Sequence, residues 1–307
     1  MQIGTDIPIP CLSPWPARPP ALRLPAQAWD CHAHVVGAAP WVTPRNYDPP
    51  IADIAAYVGM LDQVGLDYGV LVQVSVHGTN NDLLIEGLRS YPDRLRGVAA
   101  IAPDVGETEL AEMHEAGVRG VRLLTLTRGG VAPEAAMALA GRIAPYGWHI
   151  EFGVPGHMLA ELKPIIDALP VPVVLAHFGD CDMATGVHGP QFAALCAILD
   201  RRDRYVKLSA AYRLCAQPWR DTIPVAAALI EDHGQSLLWG SDWPHVAISD
   251  PSLMPRTEAL IELIGRWTPS DAALRNILVE NPARLYGLPG EAGSHQKKLK
   301  GDADAHA

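Results

Sequence analysis

The chain has 307 residues, 49% of them hydrophobic and 19% charged, which supplies a large core and excludes an intrinsically disordered chain. Its 27 glycines and 28 prolines mark many turns, but no Gly-X-Y period runs through them, so a collagen-like rod is excluded. A net charge of -10 argues against a nucleic-acid partner, which needs a basic field, yet leaves room for a small anion wherever arginines converge.

Seven prolines fall within residues 1–25, so this opening can form neither helix nor central strand and is expected to lie over the surface as an arm. It has no basic stretch followed by an apolar one, so no secretory signal is expected. From there strand and helix signals alternate. Short apolar runs at 28–34, 68–75, 95–102, 120–125, 148–154, 172–179, 205–211 and 237–245 read as eight strands buried on both faces. Amphipathic stretches fill the gaps. Ile54, Val58 and Leu61 recur at helical spacing, Asn80, Asn81 and Asp82 offer caps before Leu84 and Leu88, and Leu159, Leu162, Ile166 and Leu169 repeat the pattern. Eight strand–helix units predict an α/β fold, a (β/α)8 TIM barrel over residues 26–289, with a polar tail at 290–307. A doubly wound open sheet is the alternative, but no glycine-rich phosphate loop follows the first strand. No apolar run is long enough to span a membrane, and five cysteines without a CxxC pair fit a reducing cytoplasm.

Three strand ends carry chemistry. The first strand contains Asp30-Cys31-His32-Ala33-His34. Strict alternation puts Asp30, His32 and His34 on one face and Cys31 on the other, towards the helices. The sixth strand ends its aliphatic run in His177, and the eighth in Asp242, with Gly240 two residues earlier leaving room beside it. Barrel closure sets strand eight beside strand one, so three imidazoles and a carboxylate meet at the mouth, where this fold places its active sites. Arg122 lies within the apolar fourth strand, and His149 and Glu151 share a face of the fifth strand with Gly153.

These pieces resemble the amidohydrolase superfamily, and within it the lactonase branch that includes the pyrone-dicarboxylate hydrolases. The resemblance rests on Asp30-Cys31-His32-Ala33-His34, the block from Gln73 to Thr79, the block from Glu115 to Arg122, Ala176-His177-Phe178-Gly179, the block from Trp239 to His245, and Asn281-Pro282-Ala283-Arg284-Leu285-Tyr286. It implies that Asp242 is the general base and that His32, His34 and His177 polarise a lactone carbonyl, directly or through a metal. It also implies that Arg122, Arg128 and Arg213 bind substrate carboxylates, with Tyr47, Ser75, His77 and Thr79 as further binding positions. The expected substrate is a small anionic lactone of the pyrone, muconolactone or sugar-acid kind. Two departures stand out. The branch has an arginine where this chain has Asp180, and a tyrosine where it has Gly153. Both point to a substrate with fewer anionic groups than a pyrone dicarboxylate.

His32, His34, His177 and Asp242 suit a single Zn²⁺ or Mn²⁺ with an open position for water. Branch members with one metal and with none are both implied, so the sequence leaves either open. A second metal would need a bridging lysine from the fourth strand, which offers Arg122, Leu123 and Leu124 instead. Two other readings use the same residues: metal-dependent decarboxylation of an aromatic or enoic acid, and a non-catalytic barrel that binds a metabolite or metal. The sequence does not set the oligomeric state.

Overall fold

The structure is a computed structural model that describes residues 7–290; most of the expected tail lies outside them. Eight parallel strands run in chain order around one sheet: β1 (Trp29–Ala33), β2 (Tyr68–Val72), β3 (Leu95–Ala99), β4 (Val118–Leu124), β5 (His149–Gly153), β6 (Val173–Leu175), β7 (Arg204–Ser209) and β8 (Leu237–Gly240). A parallel bridge between Ala33 and Trp243 closes β8 against β1, making a (β/α)8 barrel. Helices cover the outside, among them α1 (Ile54–Val64) and α2 (Asp82–Ser90) after β1 and β2. Asp53 caps α1 by accepting from the Ala56 amide, and Gly65 ends it in the left-handed conformation that glycine adopts without a steric cost.

Most strands stop short of their apolar runs. β6 ends at Leu175, and His177, Phe178 and Gly179 follow with positive φ of 51°, 55° and 65°. The apolar residues past each strand end are buried in loops, which hydropathy alone does not separate from strand.

β1 departs from strict alternation. Trp29 and Asp30 pair with Tyr68 and Gly69, but Ala33 pairs with Leu71, so β1 carries one extra residue. This bulge corrects two expectations. Asp30 does not share a face with the histidines; it turns outwards, where its Oδ2 accepts from Tyr57 on α1 at 3.2 Å and from Ser241 Oγ at 2.6 Å. Cys31 turns inwards and packs in the barrel interior with Trp29, Val70, Val98, Val174 and Leu238. Gly240 also has a different use: a Cβ there would lie 2.5 Å from His32 Cβ and 2.8 Å from His32 N, so the glycine makes room for His32 rather than for Asp242.

The described residues before β1, from Ile7 onwards, lie on the barrel. Ile9–Pro10 pairs in parallel with Tyr47–Asp48. Leu12 N donates to Ile248 O at 2.8 Å, and Ala21 N to Glu262 Oε1 at 3.1 Å. At the opposite end Asn281 Nδ2 donates to Leu237 O, and Tyr286 is buried in the interior cluster, stacked on Trp29. The Asn281–Tyr286 motif thus closes the barrel floor. Among the described residues no helix is long and apolar enough to cross a membrane, and all five cysteines are free.

Candidate active site

The seam between β8 and β1 positions the reactive groups. Asp242 N donates to His32 O at 2.8 Å, and His34 N to Trp243 O at 2.7 Å. Asp242 itself has φ of 59° and His177 51°, left-handed conformations that cost non-glycine residues energy and concentrate at functional sites. Asp30 braces this seam from outside, accepting from Ser241 N at 2.8 Å and from Ser241 Oγ. Burial pushes its carboxyl up to about 6, against the pull of those donors.

Three imidazoles surround one oxygen of Asp242. Its Oδ1 lies 3.4 Å from His34 Nε2, 3.6 Å from His32 Nε2 and 4.0 Å from His177 Nε2. All four side chains are buried. Oδ2 is taken by Tyr212, whose hydroxyl donates at 2.6 Å. Behind the rings, His34 Nδ1 bonds Val72 O at 2.7 Å and His177 Nδ1 bonds Ser209 Oγ at 2.8 Å, so each ring is aimed by its far nitrogen. Burial alone would raise Asp242, but His177, His34 and Arg213 outweigh it and hold the carboxyl well below the usual range. Burial lowers His177 to about 3, despite the opposing pull of Asp242, and lowers His32 well below its ordinary value, helped by Lys207. At ordinary pH Asp242 is ionised while His32 and His177 are neutral.

Above Asp242 is a narrow chamber of about 10 Å³. His34, His177, Tyr47, Ser75, Arg122 and Arg213 line it, with Leu124, Leu126 and Val246 as its apolar wall. Tyr47 Oη and Ser75 Oγ are hydrogen-bonded at 2.9 Å. Arg122 is buried; Nη1 donates to Gln73 O at 3.0 Å, and Nε is buried without a hydrogen-bond partner. Burial would lower Arg213, but Asp242, Tyr212 and Asp180 outweigh it and raise the guanidinium. Gly153 lies beside β4: a Cβ there would stand 2.7 Å from Leu124 Cδ1 and 3.7 Å from Arg122 Nη2.

The structure thus gathers His32, His34, His177, Asp242, Arg122, Arg213, Tyr47 and Ser75 at one mouth. His77, Thr79 and Arg128 do not line the chamber. His77 Nε2 accepts from Gly37 N at 3.2 Å, Thr79 borders an open groove with Glu86 and Arg89, and the Arg128 amide donates to Asn46 Oδ1. Four contributors escaped the sequence reading: Tyr212, Ser209, Ser241 and Lys207. Lys207 carried the plainest signal, a lysine inside the apolar run Tyr205-Val206-Lys207-Leu208.

The donor set fits one divalent ion. His32, His177 and Asp242 each offer a ligand atom within 4.8 Å of the others, and His32 Nε2 and Asp242 Oδ1 are buried with no hydrogen-bond partner. Two nitrogens and a carboxylate oxygen suit Zn²⁺ or Mn²⁺.

Residues 29–288 match the amidohydrolase family. The chain is 33% identical over 290 residues to the 2-pyrone-4,6-dicarboxylate hydrolase of Comamonas testosteroni, covering 89% of this chain and 94% of that protein. It is 33% identical over 288 residues to the 4-sulfomuconolactone hydrolase of Rhizobium radiobacter, covering 91% and 96%. Among solved structures, a probable 2-pyrone-4,6-dicarboxylic acid hydrolase from Acinetobacter baumannii with citric acid bound superposes with a TM-score of 0.76 at 28% identity, covering 85% of this chain and 99% of that one.

Proposed function

The chain belongs to the amidohydrolase family, and from that premise we propose that it is a lactonase, a hydrolase that opens a small carboxylated lactone with water activated by Asp242. The observation that carries this reading is the approach of three imidazole Nε2 atoms to Asp242 Oδ1, below a chamber with two arginines. The lactone carbonyl sits above Asp242 with its oxygen towards the imidazoles, and the substrate carboxylate meets Arg122 and Arg213. Asp242 Oδ1 takes a proton from water as the water oxygen attacks the carbonyl carbon. The oxyanion of the tetrahedral intermediate is met by imidazole N–H donors. Collapse expels the ring oxygen, which recovers the proton, and the product is an open-chain hydroxy or keto acid with one more carboxylate.

A carboxylate held far below its usual range is a weak base. Arg213 is one of the charges that hold Asp242 down, and a substrate carboxylate would neutralise it. Substrate binding would then raise the basicity of Asp242 when water is to be activated. If a Zn²⁺ or Mn²⁺ ion is bound, His32, His177 and Asp242 would hold it, with His34 alongside, and it would supply Lewis-acid polarisation of the carbonyl.

The chamber is narrow, about 10 Å³ or room for about one water, so its wall must open to admit a lactone, and a small one is admitted most easily. Asp180 offsets Arg213, leaving little uncompensated positive charge for a second carboxylate. Both features favour a compact lactone with a single anionic group. The test is a panel of pyrone, muconolactone and sugar-acid lactones, with and without Zn²⁺ or Mn²⁺, followed by acid release and by carbon dioxide release. Ring opening with one acid equivalent and no carbon dioxide is expected. Carbon dioxide release would indicate a decarboxylase, and no turnover under any condition would overturn the reading.

A further inference from the structure

Beneath the imidazoles, the barrel interior holds an ion pair that the proposed chemistry leaves unused. Lys207 on β7 and Glu151 on β5 are both fully buried, and Lys207 Nζ donates to Glu151 Oε2. The same Nζ stands 3.2 Å from His32 Nδ1. The other carboxylate oxygen, Glu151 Oε1, is 3.4 Å from that nitrogen and makes no hydrogen bond. Two arrangements therefore compete at Nδ1. An ammonium has only donors, so its bond needs a lone pair on Nδ1; a carboxylate has only acceptors, so a bond to it needs a hydrogen there. A neutral ring carries one hydrogen, so the choice at Nδ1 decides what Nε2 presents to Asp242 and to the chamber.

We propose that Lys207 is a positioning residue that keeps the His32 hydrogen on Nε2, so that His32 faces the substrate carbonyl as a hydrogen-bond donor. Its contact with Nδ1 has hydrogen-bonding distance and geometry, whereas the Glu151 Oε1 contact does not count as a hydrogen bond. The neighbouring ring provides the contrast. His34 Nδ1 faces the Val72 carbonyl, which only accepts, so that ring carries its hydrogen on Nδ1. His177 Nδ1 faces a serine hydroxyl, which can donate or accept. One ring is thus set with hydrogen at Nδ1, one at Nε2, and one is adjustable. A histidine that ligates a metal through Nε2 ordinarily donates from Nδ1 to a carboxylate or carbonyl. Lys207, placed between Glu151 and His32, reverses that arrangement. Glu151 serves to hold Lys207: burial alone would raise its carboxyl, but Lys207 and Arg122 keep it below the usual range. With Lys207 in place a divalent ion meets a hydrogen on Nε2 and a like charge behind the ring, so Lys207 disfavours ligation by His32.

The catalytic consequence rests on the lactonase reading; the position of the hydrogen does not, and no lactone enters the test. Long-range ¹H–¹⁵N spectra of full-length protein labelled at histidine nitrogen, freed of metal by a chelator, report which ring nitrogen carries hydrogen. His32 is assigned by the signal lost in His32→Asn. In the wild type its hydrogen is expected on Nε2, and Glu151→Gln should leave it there, because the glutamine carbonyl still accepts from Lys207 and holds it against Nδ1. Lys207→Met should move it to Nδ1, facing Glu151, and should tighten Zn²⁺ binding at least about tenfold in a chelator competition. Should Lys207→Met fail to fold around its unpaired carboxylate, the wild type and Glu151→Gln still decide. Hydrogen on Nδ1 in the wild type overturns the proposal, as does an unchanged tautomer or Zn²⁺ affinity in folded Lys207→Met. Lactone turnover with the wrong tautomer would sink this proposal alone; the expected tautomer with no turnover would sink the lactonase reading alone.

Discussion

The two oxygens of Asp242 have different partners, and that difference suits a base. Oδ2 is occupied by the Tyr212 hydroxyl, while Oδ1 makes no hydrogen bond and faces the rings. One oxygen orients the group and the other is open to a proton. Arg122 is the residue best placed to separate anion binding from general stabilisation, because its charge is buried on the chamber wall. Arg122→Gln is expected to lower kcat/KM on a carboxylated lactone by roughly 10- to 100-fold, the range for a lost charge-assisted hydrogen bond. An uncharged lactone should lose much less, and equal losses on both would remove Arg122 from carboxylate binding. Residues at this scale were legible where a polar group interrupts an apolar run, as His32, His177, Asp242 and Arg122 do. Arg213, in the short helix Ala211–Leu214, and Tyr47, in the two-residue strand Tyr47–Asp48, interrupt no apolar run, and only the family resemblance pointed to them. Lys207 did stand in an apolar run, but β5 and β7 are not neighbours in the sheet. Its pairing with Glu151 therefore exists only once the barrel has closed.

At the scale of elements, the strand order and the eight-fold repeat could be read from apolar runs, whereas the facing of β1 could not. One inserted residue between Asp30 and Ala33 turns Cys31 inwards and Asp30 outwards, and alternation has no means of sensing a bulge. The bulge also makes β8 dependent on a glycine. Gly240→Ala would drive a methyl group to 2.5 Å from His32 Cβ, where backbone hydrogen bonds between the seam's two sides resist movement. The expected cost is about 1–3 kcal/mol of stability together with at least a tenfold loss of activity. Gly59, inside α1 with nothing within 4 Å of its missing Cβ, is the matched control. Gly59→Ala should gain up to about 1 kcal/mol in a denaturant titration and leave activity unchanged. Equal effects of the two substitutions would show that Gly240 is an ordinary strand glycine.

For the molecule as a whole, net charge and buried histidines set the response to acid. Burial lowers His149 and His245 to about 4 and His177 to about 3. Each is neutral when folded but takes up a proton below about 6.5 when unfolded. The stability they permit is therefore complete above about pH 6.5 and is lost as pH falls towards their folded values. Asp30 has the opposite sign: raised to about 6, it contributes most when protonated and loses that contribution as pH rises through 6. His32, likewise lowered by burial, acts in the same direction, so four imidazoles outweigh one carboxyl and between pH 7 and pH 5 the protein should lose stability of at least about 4 kcal/mol. Thermal melts in matched buffers check this; a Tm that holds or rises at pH 5 would contradict it. The acidic net charge read from the sequence argues against a polyanion partner, and the local field differs from it, with Arg122 buried and Arg213 half-buried at the mouth and Lys207 buried beneath it.

The most direct measurement is the turnover number of Asp242→Asn on whichever lactone the wild type opens, taken beside its circular dichroism and its affinity for the product. Asparagine keeps the shape and the Tyr212 contact but cannot accept the water proton. The account predicts a fall in kcat of at least about 10³-fold, with fold and product binding retained. A folded variant that turns over within tenfold of the wild type would contradict the assignment of Asp242 as the base.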